Sequence, residues 1–322
     1  YINIFIYRCM TSIYEYIHIN LYTYIIMRRL YIIAQKNAYR AFEDYYESLK
    51  TSITHLCDIK IIIYGAESDI PLPMNNKDIY LFLSCITPKF YKFYIDGKYR
   101  NIYMINTEQS TRPIWSMIIK HYTNKGLTVF DYDQYQTEIA KKTVPNAQIY
   151  YLPYQINKSE TEHLTSLIMK SKKSYDVAFC ATNNSKKRMS LYNQLENRGL
   201  KLTDIYGWKG ERDQRIAEAK ILVNIHHNND YHIFEHLRCD RWILSGMLVI
   251  SEESLSDELM DCKDLLIIAK FENIVDKIIE VVMNYEYYYS QYLDHLSIQR
   301  ENIIKNRRQY LNRFTPDIEK CN

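Results

Sequence analysis

Between Ala219 and Glu252 the chain reads AKILVNIHHNNDYHIFEHLRCDRWILSGMLVISE. An apolar, β-branched run, a polar loop, a short charged helical stretch, a glycine and a second apolar run specify a βαβ unit. Its two strands must be parallel and joined by a right-handed crossover. Such a unit puts Glu235 and Arg238 at the carboxyl end of a parallel sheet, the edge at which open α/β folds bind ligands. The constraint is therefore on function as well as on architecture.

The same grammar recurs along the chain. Strands are expected at Leu30–Ala34, Ile59–Tyr64, Ile79–Ser84, Ile102–Asn106, Thr128–Asp131 and Gln148–Leu152, with an amphipathic helix over Tyr39–Leu56. A second set is expected at Tyr175–Cys180, Leu200–Ile205, Lys220–Ile225, Met247–Ser251 and Leu265–Ala269. These runs are continuously apolar and do not alternate, as parallel strands covered on both faces require. The expected class is α/β, with two Rossmann-like domains whose mostly parallel sheets face a central cleft. Residues 27–155 form the first domain, the polar, lysine-rich stretch 156–174 the connection, and 175–275 the second domain. Residues 276–322 contain a long stretch without Gly or Pro and read as terminal helices that pack back toward the first domain. The chain opens on Tyr1, and residues 1–26 read as an extension preceding a functional start at Met27.

At 322 residues the chain is long enough for two cores. Its 41 basic and 38 acidic residues leave a net charge of +3, which gives no broad attraction to nucleic acid or anionic membrane, so neither is expected as a partner. The longest uncharged amino-terminal run, Tyr16–Met27, is twelve residues and includes His18, Asn20 and Thr23. A bilayer-spanning helix needs roughly 20 apolar residues, so no integral membrane association is expected. Seven scattered cysteines with no CxxC spacing suggest neither a disulfide framework nor zinc, and fit a reducing, cytoplasmic setting.

Candidate site residues cluster after strands. On a helix starting near Tyr231, Glu235, Arg238 and Trp242 share one face, while Ile233, Phe234, Leu237 and Leu244 form the packing side. A carboxylate accepts both hydroxyls of a ribose and an arginine grips a diphosphate bidentately. The same spacing also makes an ordinary i, i+3 ion pair. Asn183, Asn184, Ser185, Lys186, Lys187 and Arg188 bring backbone amides and three cations to a helix amino terminus, an environment that suits phosphate, or else form a solvated charged face. Asn224, His226 and His227 end a strand at the ligand-facing edge, and each histidine serves either a bound ligand or the structure. Glu108, just beyond Ile102–Asn106, is placed to act as a base or to cap the helix near Arg112. The triplet Asp131–Tyr132–Asp133 is either a DxD cation site or, with Asp133 as N-cap, the start of the helix that follows, which is the preferred reading.

The order CATNNSKKR, DIYGW, KILVNIH, FEHLRCDRWILSG and MLVISE resembles the donor half of a GT-B glycosyltransferase, and most closely the compact viral and bacterial proteins that include the CgeB type. A fainter resemblance covers IYMINTEQ, VFDYDQYQTEIAKK and YLPY in the first half. The resemblance implies a hexosyltransferase-like enzyme that moves a sugar from a nucleotide diphosphate sugar to a hydroxyl on a glycan or protein, with residues 27–155 on the acceptor side. It implies donor binding by Ser185, Lys187, Arg188, Asn224, His226, Glu235, Arg238 and Arg241, and no obligatory metal or other cofactor. Glu108 would be the base in an inverting enzyme, whereas a retaining one needs none there. Two departures stand out. Arg241 occupies the position, five before Gly246, where many relatives carry glutamate, and Lys36 and Asn37 follow the first strand where many carry glycine. A non-catalytic sugar-binding or scaffold protein and a polyol-phosphate transferase are the alternatives on the same fold.

Overall fold

The computed structural model describes residues 29–54, 58–65, 78–83, 101–179, 181, 185–203 and 210–311. The expected extension 1–26 lies outside them, as do Met27, Asn183, Asn184 and residues 312–322.

Two parallel sheets organise the chain. The first joins β1 (Arg29–Gln35), β2 (Asp58–Tyr64), β3 (Ile79–Leu83), β4 (Ile102–Asn106), β5 (Thr128–Asp131) and β6 (Ile149–Tyr151) in the order β2-β1-β3-β4-β5-β6. The second joins β7 (Tyr175–Phe179), β8 (Leu202–Thr203), β9 (Ala219–Asn224), β10 (Leu248–Glu252) and β11 (Leu266–Ala269) in the order β11-β10-β9-β7-β8. The pairings β1–β3 and β7–β9 are both parallel, and each marks the place where the chain reverses its direction of travel across a sheet. The two sheets thus repeat one winding, each with a single topological switch point. Apolar composition explains the layering: β3 and β4 are buried along their whole length because helices cover both faces.

The helices among the described residues are α1 (Lys36–Ile53), α2 (Pro113–Asn124), α3 (Gln134–Thr143), α4 (Lys158–Lys170), α5 (Lys186–Asn197), α6 (Gly210–Ala217), α7 (His236–Ile243), α8 (Ile274–Met283) and α9 (Tyr285–Leu311). The polar stretch between the sheets is mostly α4, whose first turn is capped by Asn157 Oδ1 accepting from Glu160 N at 2.9 Å. At 27 residues, about 40 Å, α9 is long enough to return from the second sheet to the first. There the Arg307 guanidinium donates to the Tyr154 carbonyl at 3.3 Å, Gln155 Nε2 donates to the Arg307 carbonyl at 3.1 Å, and Tyr310 packs edge-on against Tyr151.

One expectation about the βαβ unit is corrected. Its helix begins at His236 rather than near Tyr231, because Asn228–Asp230 form a turn in which Asp230 N donates to Asn228 Oδ1 at 2.8 Å. The helix is also not two-faced. Trp242, expected beside Glu235 and Arg238, is only 1% exposed, and Arg241 and Asp240 are buried with it. Groups from α4 and α9 cover the outer side: Thr165 Oγ1 donates to the Ser245 carbonyl, and the Tyr292 and Tyr289 hydroxyls donate to the Ile243 and Gly246 carbonyls. Gly246, at φ +103°, makes the left-handed turn into β10 that a side chain would strain. Truncating Trp242 to alanine in this setting costs about 3–5 kcal/mol.

Candidate active site

The loop after β4 and the loop after β9 meet across a pocket of about 120 Å³ lined by Glu108, Arg188, His227, Tyr231, Glu235 and Arg238, among others. The pocket lies beyond the carboxyl ends of strands from both sheets, where the winding predicts a ligand site. Glu108 and Gln109 come from the first sheet, the other charged groups from the second.

Glu108 is fixed by its own loop. Asn106 Nδ2 donates to the Glu108 carbonyl at 2.7 Å, and Glu108 N donates back to Asn106 Oδ1 at 3.2 Å. Its carboxylate pairs with Arg112 at 3.4 Å and does not cap α2, whose cap residue Arg112 has no side-chain cap bond. Burial and the neighbouring Glu235 carboxylate raise the Glu108 pKa, and Arg112 and Arg238 only partly offset this. A carboxylate held above its ordinary value takes up a proton more readily, as a general base requires.

Glu235 stands at the cap position of α7, yet its side chain makes no cap bond. Its carboxylate accepts from Gln109 Nε2 at 3.2 Å and lies 3.7 Å from Arg238 Nε. The ordinary i, i+3 pair and a place in the pocket are thus both present. Arg188 is buried, with Nε and Nη2 donating to the Ile225 carbonyl at 3.0 and 2.8 Å, so its guanidinium is anchored at the end of β9 beside the pocket. Ser185 caps α5 by accepting from Arg188 N at 3.2 Å and thereby sets the start of the helix that carries Arg188.

The other candidates do not line the pocket. Lys187 pairs with Glu252 at the end of β10 and lies 4.5 Å from the Phe271 ring centroid. Asn224 donates to Ser251 Oγ at 3.1 Å and ties β9 to β10. The His226 ring contacts the Glu253 carbonyl and Ser254 Oγ, both at 3.2 Å, and burial lowers its pKa. It is His227 that lines the pocket, 5.4 Å from the Tyr231 ring, its pKa lowered by burial, then by Arg188 and Arg238. Arg241 sits in a buried cluster instead. It forks onto Asp213 at 2.8 and 3.1 Å, donates to Glu160 at 2.9 Å and lies 3.5 Å from Asp44, which also pairs with Arg212. The cluster joins α1, α4, α6 and α7, so the Arg241 side chain serves that junction and does not reach the pocket.

The DxD triplet is likewise built into the fold. Asp133 Oδ1 accepts from Gln136 N at 2.8 Å and so caps α3. Asp131 accepts from Asn106 Nδ2, Gln136 Nε2 and Asp133 N at 2.8–3.1 Å. Asp133 Oδ2 lies 3.6 Å from His236 Nε2, and a relay continues through the buried Asp240 and Arg307 to Asp261 at the surface. Flanked by two carboxylates, the His236 imidazolium is pushed up to about 10 despite the opposing cost of burial. His236, Asp240 and Cys262 approach one another closely enough to suggest metal ligands, but Asp240 already accepts from His236 at 2.9 Å and from Arg307 at 2.7 Å, and an added cation would meet the guanidinium.

Nothing in the local sequence marks Gln109 or Tyr231 as part of a site. Gln109 follows Glu108 in the polar loop after β4, but its importance comes from partners more than 120 residues away. Tyr231 is positioned by the Arg112 guanidinium 4.6 Å from its ring centroid.

No family model matches the chain. Protein L140 of Acanthamoeba polyphaga mimivirus, itself uncharacterized, is 31% identical over 261 residues, covering 80% of this chain and 81% of L140. The chain belongs to the family of L140. Uncharacterized protein L138 of the same virus is 31% identical over 272 residues, which are 79% of this chain but only 29% of L138. Among solved structures, T4 phage β-glucosyltransferase in complex with its UDP-glucose substrate superposes with a TM-score of 0.52 at 16% identity, over 90% of this chain and 99% of the phage enzyme. A structure of a DNA-modifying β-glucosyltransferase gives the same TM-score at 13% identity. The fold is GT-B.

Proposed function

We propose that the chain transfers a sugar from a nucleotide diphosphate sugar to a hydroxyl of a glycan or protein acceptor. One observation carries the reading: Glu108 from the loop after β4 of the first sheet and Glu235, Arg238 and Arg188 from the β7–β9 switch point of the second line a single pocket beyond the carboxyl ends of both sheets. Glu235 accepts the ribose hydroxyls, and Arg188 and Arg238 hold the diphosphate. In an inverting transfer Glu108 takes the proton of the acceptor hydroxyl while its oxygen bonds to the sugar C1. The bond from C1 to the phosphate oxygen breaks, and the diphosphate leaves with the bonding pair. Charge accumulates on that diphosphate, and two preorganised guanidiniums stabilise it where it develops. We propose no obligatory metal, because Asp133 is committed to the cap and the relay and Asp131 to hydrogen bonds from Asn106, Gln136 and the Asp133 amide.

The phage enzyme of the same fold uses UDP-glucose, so UDP-glucose heads the donor panel, followed by other UDP-, GDP- and CDP-sugars. Thermal shift and donor hydrolysis are read for the wild type, Glu235→Ala and Arg238→Ala. A shift and turnover with one donor class, both lost in the two variants, is the expected result. No response to any donor would remove the transferase reading and leave the sugar-binding or scaffold role.

A further inference from the structure

The pocket is smaller than the roughly 300–1,000 Å³ of a small-molecule site. A buried side chain bridges its two halves through hydrogen bonds at both ends of its amide. Gln109, 2% exposed, leaves the first sheet's β4 loop and uses both ends of its amide on the second sheet's loop. Oε1 accepts from His232 N at 2.9 Å and Ile233 N at 3.0 Å. Nε2 donates to the Ile233 carbonyl at 2.9 Å and to Glu235 Oε1 at 3.2 Å. Neutral glutamine suits this task, since a single planar group supplies two acceptor sites and two donors to a peptide edge and a carboxylate.

We propose that Gln109 is a positioning residue that orients the Glu235 carboxylate for the nucleotide and registers it against Glu108. This rests on the transferase reading above. Glu235 lies at the end of an irregular loop, and its cap position gives its carboxylate no backbone partner. Apart from Arg238 at 3.7 Å, the amide of Gln109 sets its direction. Because Glu108 is the adjacent residue, one dipeptide presents the base and locks the ribose clamp of the opposite domain. Placing the base thus places the clamp.

Two substitutions separate this role from simple interdomain packing. Gln109→Met keeps the volume and removes all four hydrogen bonds. Gln109→Glu keeps an acceptor for His232 N and Ile233 N but sets a second carboxylate oxygen against Glu235 and the Ile233 carbonyl. Amide exchange of the ligand-free full chain reports the loop, and calorimetry with UDP, GDP and CDP reports the clamp. Loop protection is expected to fall in Gln109→Met and to persist in Gln109→Glu. Nucleotide affinity is expected to fall about tenfold in Gln109→Met, the cost of one lost hydrogen bond to a charged group, and further in Gln109→Glu. Adding Gln109→Met to Glu235→Gln should weaken binding no further than Glu235→Gln alone. Wild-type affinity in both variants, or losses that add fully in the double mutant, overturns the positioning role and leaves the transferase reading intact. Failure of the wild type to bind any of the three nucleotides overturns both.

Discussion

Replacing Arg241 with methionine tests whether that arginine is a strut or a ligand contact. The substitution keeps most of the aliphatic stem and deletes a guanidinium whose side chain is 6% exposed. Asp213 and Asp44 retain Arg212, but Glu160 is left with only the Tyr154 hydroxyl at 2.8 Å, and its Oε2 already has no partner. Removing one member of a buried ion pair typically costs about 3–5 kcal/mol. At an unfolding entropy of about 2.1 cal/mol/K per residue, a chain of 322 residues melts about 1.5 °C lower per kcal/mol, so the melting temperature should fall by roughly 4–8 °C. The loss should shrink at acid pH. Burial already raises the Glu160 pKa against the pull of Arg241, and without the guanidinium the carboxyl group protonates more readily, which relieves the orphaned charge. Calorimetric melting at pH 5 and pH 7, with calorimetric titration of nucleotide at a temperature where both proteins are folded, measures the two effects. Arg241→Met should melt early and bind nucleotide as the wild type does. Weakened binding with an unchanged melting temperature would refute the strut and return Arg241 to the donor site.

Arg238→Met should show the opposite pattern: its pair with Glu235 is partly exposed, so stability changes by less than about 1 kcal/mol while nucleotide affinity drops, as melting and calorimetry will report. Glu108→Gln is expected to lower transfer by about 10²–10⁴-fold, and the wild-type rate should fall with decreasing pH along a limb that lies above the ordinary glutamate range, since the base works only when deprotonated. An acid limb retained in Glu108→Gln would assign it to another group. His236, raised from 6.5 to about 10, binds a proton in the folded state that the unfolded chain releases. Its contribution to stability is complete below pH 6.5 and declines by about 1.4 kcal/mol per pH unit up to about 10. Urea unfolding at pH 6 and pH 9 should show that loss in the wild type and a much smaller one in His236→Gln.

The strands were legible because a parallel strand covered on both faces needs an unbroken apolar run. Ile102–Asn106 and Thr128–Asp131 have the bounds read from the sequence, and the expected six and five strands form the two sheets. Local chemistry was legible for the same reason: Asp133 caps α3 through a contact three residues away. The start of α7 was not, since apolar spacing over Tyr231–Phe234 mimics a helix while an Asx turn and a distant glutamine hold those residues as a loop. Arg188, Glu235 and Arg238 follow strands or begin helices at the sheet edge, so topology alone takes them to the pocket. Lys187 and Arg241 neighbour them in sequence, but their side chains leave in other directions and meet Glu252 and Asp213.

By itself, then, the sequence determined where the strands run, that they pair in parallel and the edge at which a ligand site forms, because these depend on periodicity and short-range connection. Tertiary structure alone decided which charges face the pocket and which are struts. That choice depends on carboxylates such as Asp44, Asp213 and Asp240, which come to their arginines from other elements of the chain. It also decided that a single amide, Gln109, spans the two domains, since its hydrogen-bond partners lie more than 120 residues away and leave no periodic trace.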